Sequence, residues 1–444
     1  MIFSSSSSTR SHETGSVFIL VLTICFGLVT LALYFGQSMT FEVRGAANRV
    51  SAMESDQVLL GASRYATFVL ATYATNGAIP NPLDYDSEGV TVGDGKFWFI
   101  GRTNNTTVNP IAPTFGLVDE NSKLNLNTVT AAMLELLPGM THEFAAAIID
   151  WRDADATVSD GGAEDDVYQR LSPPRKCKNA PFESVDELRL VYGATLEILY
   201  GEDANQNGFL DPNENDGNVL SPEDNKDGRL DPGICEYLTV HSRQSATMAN
   251  GTNKTEVSSV NAIRSLLTQS LQAARANAIM AALGPRGARS VLEFYALSGM
   301  TVQEFQTVEA QLYSTNSMAV SAVNVNTAPE AVLACIPGIS LDKASALVNY
   351  RASNPQILAT VAWVKEVLDT ATIQAAGPYL IGQSCQFTAD IAAVGEYGRG
   401  FRRTRFIFDT SQLAPVILSR QDLTYLGWPL GSKIHDQLLK KDIR

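Results

Sequence analysis

Charge is missing near the start of the chain, where no Asp, Glu, Lys, Arg or His lies between Glu13 and Glu42. Proline is equally absent before Pro80. Histidine is scarce: His12, His142, His241 and His435 sit in unrelated contexts, with no H-E-x-x-H pair. With no serine nucleophile elbow either, zinc-hydrolase and serine-hydrolase chemistry are excluded. The segment around Gly95–Lys96 imitates a phosphate loop, but Val90 stands where the first glycine belongs and Phe97 where Ser or Thr belongs. A turn before a strand is the better reading, and no enzyme is expected. The 5 cysteines form no C-x-x-C pair, which removes structural zinc and thioredoxin-like redox chemistry. Basic residues are also in deficit, 33 Lys and Arg against 47 Asp and Glu, a net charge of -14. That balance repels nucleic acid and anionic lipid and suits divalent cations.

The uncharged stretch is apolar from Ser16 to Gly36. At ~1.5 Å per residue, one helix of this length crosses a ~30 Å hydrocarbon core. Without proline up to Pro80, the helix is predicted to continue into water. Before it stands a short polar leader, residues 1–15, with a single Arg10 and a closing Gly15. A polar leader, a glycine and a long helix apolar only in its first half is the layout of a prepilin. An uncleaved signal anchor is the plain alternative. Leu20 occupies the fifth place after the glycine, where most pilin-like subunits carry glutamate.

Further along, the chain repeats itself. Residues 124–152 recur at 323–351, with Asn125, Asn127, Thr128, Pro138, Gly139, Ala145 and Arg152 returning as Asn324, Asn326, Thr327, Pro337, Gly338, Ala344 and Arg351. Alternating L-N-L-N or V-N-V-N predicts a half-buried strand. Thr128 and Thr327 are placed to cap a helix, the Pro-Gly pair to break it, and a second helix to end at the arginine. This is a helix-hairpin-helix, a unit that often holds DNA phosphates at its turn. Neither turn gathers a basic patch, so structural packing is the preferred reading. Segments 182–194 and 359–372 are expected to add helices, the first opened by a Ser184–Glu187 capping box. Residues 255–316 are helix-rich.

Between the repeats, 203–214 reads DANQNGFLDPNE, a match to the EF-hand calcium loop. Asp203, Asn205, Asn207, the Phe209 carbonyl, Asp211 and Glu214 are the candidate ligands, with Gly208 making the sharp turn. Alternate positions are required because a coiled loop turns every second side chain toward a cation that wants 6–8 oxygens. A weaker loop follows at 223–234, offering Glu223, Asn225, Asp227 and Asp231 but ending on Ile234, with Glu236 or water left to complete the shell. Structural Ca2+ is the expected cofactor. The acidic run 151–166 is read as a solvated loop or a further cation-binding loop. Cys177 and Cys235 flank the acidic segment and are the pair open to a disulfide, which spacing alone does not establish.

Residues 97–105, 113–127 and the hairpin 385–411, turning at Gly398–Gly400, are strand candidates. The expected fold class is therefore α+β: a pilin-like long N-terminal helix on an antiparallel sheet, with a large α-helical insertion containing helix-hairpin-helix units. The expected layout is leader 1–15, membrane helix 16–36, its aqueous continuation 37–80, strands 81–128, and helical insertion 129–320 with the calcium loops at 203–236. A second hairpin unit follows at 321–372, then strands at 373–411 and a tail at 412–444.

Several motifs within this layout are similar to the minor pseudopilin K family of type II secretion systems. They are Gly15 with its apolar helix, LVDENSKLNLNT at 117–128, IIDWRDAD at 148–155, GAEDDVY at 162–168, NAPFESVDELRLVYG at 179–193 and VNVNT at 323–327. The resemblance implies cleavage by prepilin peptidase between Gly15 and Ser16 and a single-pass inner-membrane anchor with the bulk in the periplasm. It also implies bound calcium and a place at the pseudopilus tip with two other minor pseudopilins above the major pseudopilin. The family typically lacks the fifth-position glutamate, which makes Leu20 a tip marker. Ser16 is less usual as a first mature residue, and the acidic loops and the helices of 255–316 lengthen this chain beyond compact members. The alternative is a DNA-binding pilin-like protein of a DNA-uptake machine; a membrane-anchored enzyme is disfavoured.

Overall fold

The absence of charge and proline at the start has a direct structural outcome, a single helix α1 from Glu13 to Tyr73. The computed structural model describes residues 13–103 and 112–440. Most of the leader, the end of the 97–105 strand and residues 441–444 of the tail lie outside the described residues. From Val17 onward, the first half of α1 is long and apolar enough to cross a membrane by length and composition, and none of that apolar window is buried. Its second half is amphipathic in the ordinary way. Val58, Leu59, Ala62, Ala66, Val69 and Leu70 form one apolar stripe at helical spacing and are buried against a sheet.

That sheet is antiparallel. Its strands are β1 (Val90–Val92), β2 (Gly95–Ile100), β3 (Val118–Asp119), β4 (Gln386–Val394), β5 (Arg402–Asp409) and β6 (Val416–Asp422). The order is β1-β2-β4-β5-β6, with β3 beside the first residues of β4. The three strands that complete this sheet, β4 to β6, therefore come from near the other end of the chain. The hairpin expected at 385–411 is present, and its turn is forced tight against α1. Gly400 has φ +68, and a Cβ there would lie 2.1 Å from the Ser51 carbonyl oxygen, so only glycine fits. The expected tail instead forms β6 and a helix, Gly431–Lys440.

Strand period assigns two chemically different faces. Phe97, Phe99, Phe387, Ala389, Ile391, Ala393, Phe406 and Phe408 face α1 and fill that core with aromatic rings. On the other face, Trp98, Ile100, Ala392 and Val394 pack with Leu430, and Phe401, Trp428, Ile434 and Leu438 border them. The C-terminal segment is thus a lid over this second apolar strip. Beside that strip the second face turns polar: Gln386, Thr388, Asp390, Arg403 and Asp409 are all buried.

Inserted between β3 and β4 is a helical region with one apolar cluster reaching from Leu124 to Leu380. Both repeats lie in it and share a local structure. Leu124–Asn125 pairs in parallel with Leu238–Thr239, and Val323–Asn324 pairs in parallel with Leu380–Ile381. Each is followed by a short helix, Ala131–Leu134 or Glu330–Ala334, a turn, and a longer helix, His142–Arg152 or Leu341–Ser353. The recurring arginine explains itself. Arg152 donates to the carbonyls of Leu126 and Val129, and Arg351 to that of Val325 at 2.8 Å, tying the end of each unit to its beginning.

Two local expectations need correction. The repeat strands are not half-buried: Asn125, Asn324 and Asn326 are buried, because their amides serve as internal hydrogen-bond hubs. Asn125 Nδ2 donates to the Ser242 carbonyl (2.7 Å), and Asn324 Nδ2 to Asp119 Oδ2 (3.0 Å). Thr128 and Thr327 do not cap the helices. Thr130 caps the first, and the Thr327 hydroxyl is drawn to Asp119 at 2.6 Å. The helical segments expected at 182–194 and 359–372 are present as 3-10 helices, Val185–Leu190 and Ala362–Glu366. Glu187 does accept from the Ser184 amide at 3.1 Å, as the capping-box pattern implies.

Candidate functional site

The two acidic loops adopt the same coil. Gln206 and Gly208 have φ of 54 and 77, and their counterparts Lys226 and Gly228 have 56 and 76. Asparagine and aspartate at alternate positions stabilise both coils by the same short-range bonds. Asn207 N donates to Asn205 Oδ1 and Phe209 N to Asn207 Oδ1, both at 3.0 Å; Asp227 N donates to Asn225 Oδ1 and Arg229 N to Asp227 Oδ1, both at 2.8 Å.

Their surroundings differ. In the first loop Asp203, Asn207, Asp211 and Glu214 are buried; in the second Glu223, Asn225, Asp227 and Asp231 are exposed. Burial has a cost for the first set. It raises the Asp203 carboxyl to about 6, against the opposing field of Arg102, and the Glu214 carboxyl to about 8. Glu214 Oε1 is buried and accepts no hydrogen bond. The amide nitrogens of Asn205 and Asn207 lie 2.7 and 2.8 Å from Asp211 Oδ2, filling the centre of the loop. Rotating those amides would turn oxygens inward in their place.

In the second loop the expected help from Glu236 is not available. Its carboxylate is engaged by Arg102 at 2.8 Å. Glu202, which the template did not suggest, takes that place by accepting from Asn225 N (3.1 Å) and Asp231 N (3.2 Å). Cys177 and Cys235 are both free thiols. Cys177 donates to the Asp150 carbonyl, while Cys235 lies in the field of Asp186 and Arg189, so different neighbours hold the two sulfurs.

The acidic run after the first repeat helix forms a separate pocket. Asp150 is fully buried, and Gly162 passes so close that a Cβ would meet Asp150 Oδ2 at 2.0 Å. Both carboxylate oxygens of Glu164 and Oδ1 of Asp153 are buried without a hydrogen-bond partner. Burial, with Asp150 and Asp153 nearby, pushes the Glu164 carboxyl up, and no cationic side chain is among the groups that act on it. Buried carboxylates left unpaired cost several kcal/mol, ~3–5 for a broken pair, so this pocket calls for a positive charge. Among the described residues, no three His, Cys, Asp or Glu side chains are already gathered tightly enough to hold an ion. Side-chain rotation would be required at either place.

What anchors the first loop is a pair of arginines that sequence reasoning passed over. Arg403, wholly buried on β5, pairs with Asp390 on β4 (Nε to Oδ1 3.0 Å, Nη2 to Oδ2 2.8 Å). It also donates to the carbonyls of Asn205 (2.5 Å) and Gln206 (2.7 Å). Arg102, just after β2, donates to the Gln206 carbonyl at 2.9 Å. The available signal was the R-R-T-R run of β5, in which one residue of each alternating pair must face inward.

Two family models match the chain in order. Both carry the description "Type II secretion system (T2SS), protein K", the first over residues 117–200 and the second over 323–380. Over these two segments the chain is similar to the type II secretion protein K family. A curated relative, type II secretion system protein K of Pectobacterium carotovorum subsp. carotovorum, is 28% identical over 200 residues, which is 43% of this chain and 61% of that relative. Among solved structures, a chain of the GspK-GspI-GspJ complex from enterotoxigenic Escherichia coli is similar over 86% of this chain and 99% of its own, at 12% identity and a TM-score of 0.41. The matched segments of the family models contain the repeats and the Asp150–Glu164 pocket, and the loops at 203–236 fall between them.

Arg403 and Arg405 hold the Asp390 carboxyl well below the carboxylate range despite its burial. A depressed folded value contributes stability above the unfolded value near pH 4 and loses it as pH falls further. Asp390→Ala should therefore cost about 3–5 kcal/mol at pH 7 by stranding Arg403. Urea unfolding of the full chain in detergent measures this, and the gap between variant and parent should narrow below about pH 4.

Proposed function

We propose that this chain is a minor pseudopilin at the tip of a type II secretion pseudopilus, where it starts the fibre used to export proteins across the outer membrane. The observation that carries this reading is the family match over both repeats, in a chain whose N-terminal helix is apolar for its first half and packs on an antiparallel sheet in its second. In this reading prepilin peptidase cuts between Gly15 and Ser16 at the inner membrane, and the bulk of the chain lies in the periplasm. The partners are two other minor pseudopilins, with the major pseudopilin below. The repeats serve as helix-hairpin-helix packing units of the insertion, consistent with arginines that close each unit on itself.

The physics of the tip role is short. A fifth-position glutamate neutralises the N-terminal amine of a neighbouring subunit inside the membrane, and Leu20 cannot. An insertion as large as residues 120–385 also obstructs any subunit stacked above. Co-purification of the full chain with the other minor pseudopilins from detergent should yield one stable complex. Leu20→Glu should leave the fold intact and impair tip assembly; assembly and secretion at parental levels would refute Leu20 as a tip marker.

We further propose that the chain binds Ca2+ structurally. Asp203, Asn205, Asn207, the Phe209 carbonyl, Asp211 and Glu214 would hold one ion, supported by the unpartnered Glu214 oxygen. Asp150, Asp153 and Glu164 would hold another, supported by the unpartnered oxygens of Asp153 and Glu164. The exposed set Glu223, Asn225, Asp227 and Asp231, backed by Glu202, is the weaker site. Bound calcium would add positive charge where these carboxylates are buried together. Calorimetric titration should register binding at millimolar calcium or below. At 100-fold excess over Kd, each site should add about 2.7 kcal/mol of stability. Glu214→Gln should weaken the first site by about tenfold or more. Absence of heat and of any shift in thermal unfolding would refute the calcium reading.

A further inference from the structure

We infer that a cation in the loop 203–214 locks the C-terminal segment onto the sheet, so that occupancy of the loop sets how tightly residues 423–440 close over it. This inference rests on the calcium reading of that loop and adds a mechanical consequence to it.

Two contacts join loop and lid. The first is Phe209, whose carbonyl is one of the candidate ligands and whose ring is buried. The ring lies under Gly431, the first residue of the C-terminal helix. Gly431 has φ +72, and a Cβ there would meet Phe209 Cζ at 3.3 Å. Leu430, one residue earlier, is 1% exposed and belongs to the apolar strip of Trp98, Ile100, Ala392 and Val394. The ring is therefore seated where β6 hands over to the helix.

The second contact is Arg403. Its guanidinium grips the carbonyls of Asn205 and Gln206, while its backbone holds the start of the lid. Arg403 N donates to Thr424 Oγ1 at 3.1 Å, and Leu423 N donates to the Arg403 carbonyl at 2.9 Å. One residue thus touches the loop with its side chain and the lid with its main chain.

A cation fixes the coil of such a loop by drawing alternate oxygens to one point. With the coil fixed, Phe209 and the 205–206 carbonyls stay where the lid needs them. Without the ion, nothing draws Asp203, Asp211 and Glu214 to one point, so the same residues are held less firmly and the lid loses its seat. Coupling of this kind is reciprocal: whatever calcium adds to lid closure, lid closure adds to calcium affinity.

The test uses the full chain in detergent micelles. Calcium titration gives affinity, and hydrogen exchange read by mass spectrometry gives protection of residues 428–438. Calcium should slow exchange there by about tenfold, a local opening effect distinct from global unfolding. Leu430→Ala, which weakens the lid from outside the loop, should lower calcium affinity several-fold, by no more than that same factor of about ten. Calcium that binds while exchange at 428–438 stays unchanged overturns the coupling and leaves the calcium reading standing. Slower exchange with an unaltered Leu430→Ala affinity overturns the coupling too, since linkage requires both. No binding at millimolar calcium overturns the calcium reading and the coupling together.

Discussion

A wholly buried guanidinium, that of Arg403, is the point on which the two halves of this molecule meet. Its partner Asp390 sits on the neighbouring strand, and its remaining donors reach the backbone of an inserted acidic loop. Such a charge is stable inside protein only if every donor finds an acceptor. That requirement fixes the loop on the sheet, and with it the edge of the helical insertion. Arg405 and Arg102 extend the same logic to either side, pairing with Asp390 and Glu236. The sheet is therefore built with one apolar face for the long helix and one partly ionic face for the insertion.

Much of this was legible in the residues. The uncharged stretch gave the first half of α1 from its apolar length, and the lack of proline gave its continuation; the stripe Val58 to Leu70 that packs the second half emerged only with the sheet it meets. Phe97, Phe99 and the alternating residues of 385–411 gave the sheet, because period two is a strong signal when aromatic rings carry it. The coil of the first acidic loop followed from Gly208 and the alternating Asp and Asn. Less legible were interactions between residues far apart in sequence. Thr327 reads as a helix cap until Asp119, two hundred residues away, claims its hydroxyl. Glu236 reads as a spare ligand until Arg102 takes it. Arg403 reads as surface charge on a terminal hairpin, because nothing local reveals that a loop from the middle of the chain covers it. The lid, too, was hidden: residues 423–440 have modest apolar content, and only the strip left on the second face of the sheet explains why they fold back.

This division has a simple mechanical consequence. The apolar first half of α1 stays free of the globular part, so under the proposed function it could exchange lipid for neighbouring helices without unfolding anything. The second half is held by aromatic packing and by the tight Gly400 turn at Ser51. The insertion is joined to the sheet through Arg403. Under the proposed function, that joint would let force on the stalk reach the insertion.

The most direct test of this account is calorimetric unfolding of the full chain in detergent, parent against Arg403→Met. The parent should melt in one cooperative transition, because sheet and insertion share the ionic seam. Arg403→Met should split the curve into two transitions, the insertion and the sheet melting apart. A variant that melts in a single transition at the parental temperature would contradict the claim that Arg403 joins them.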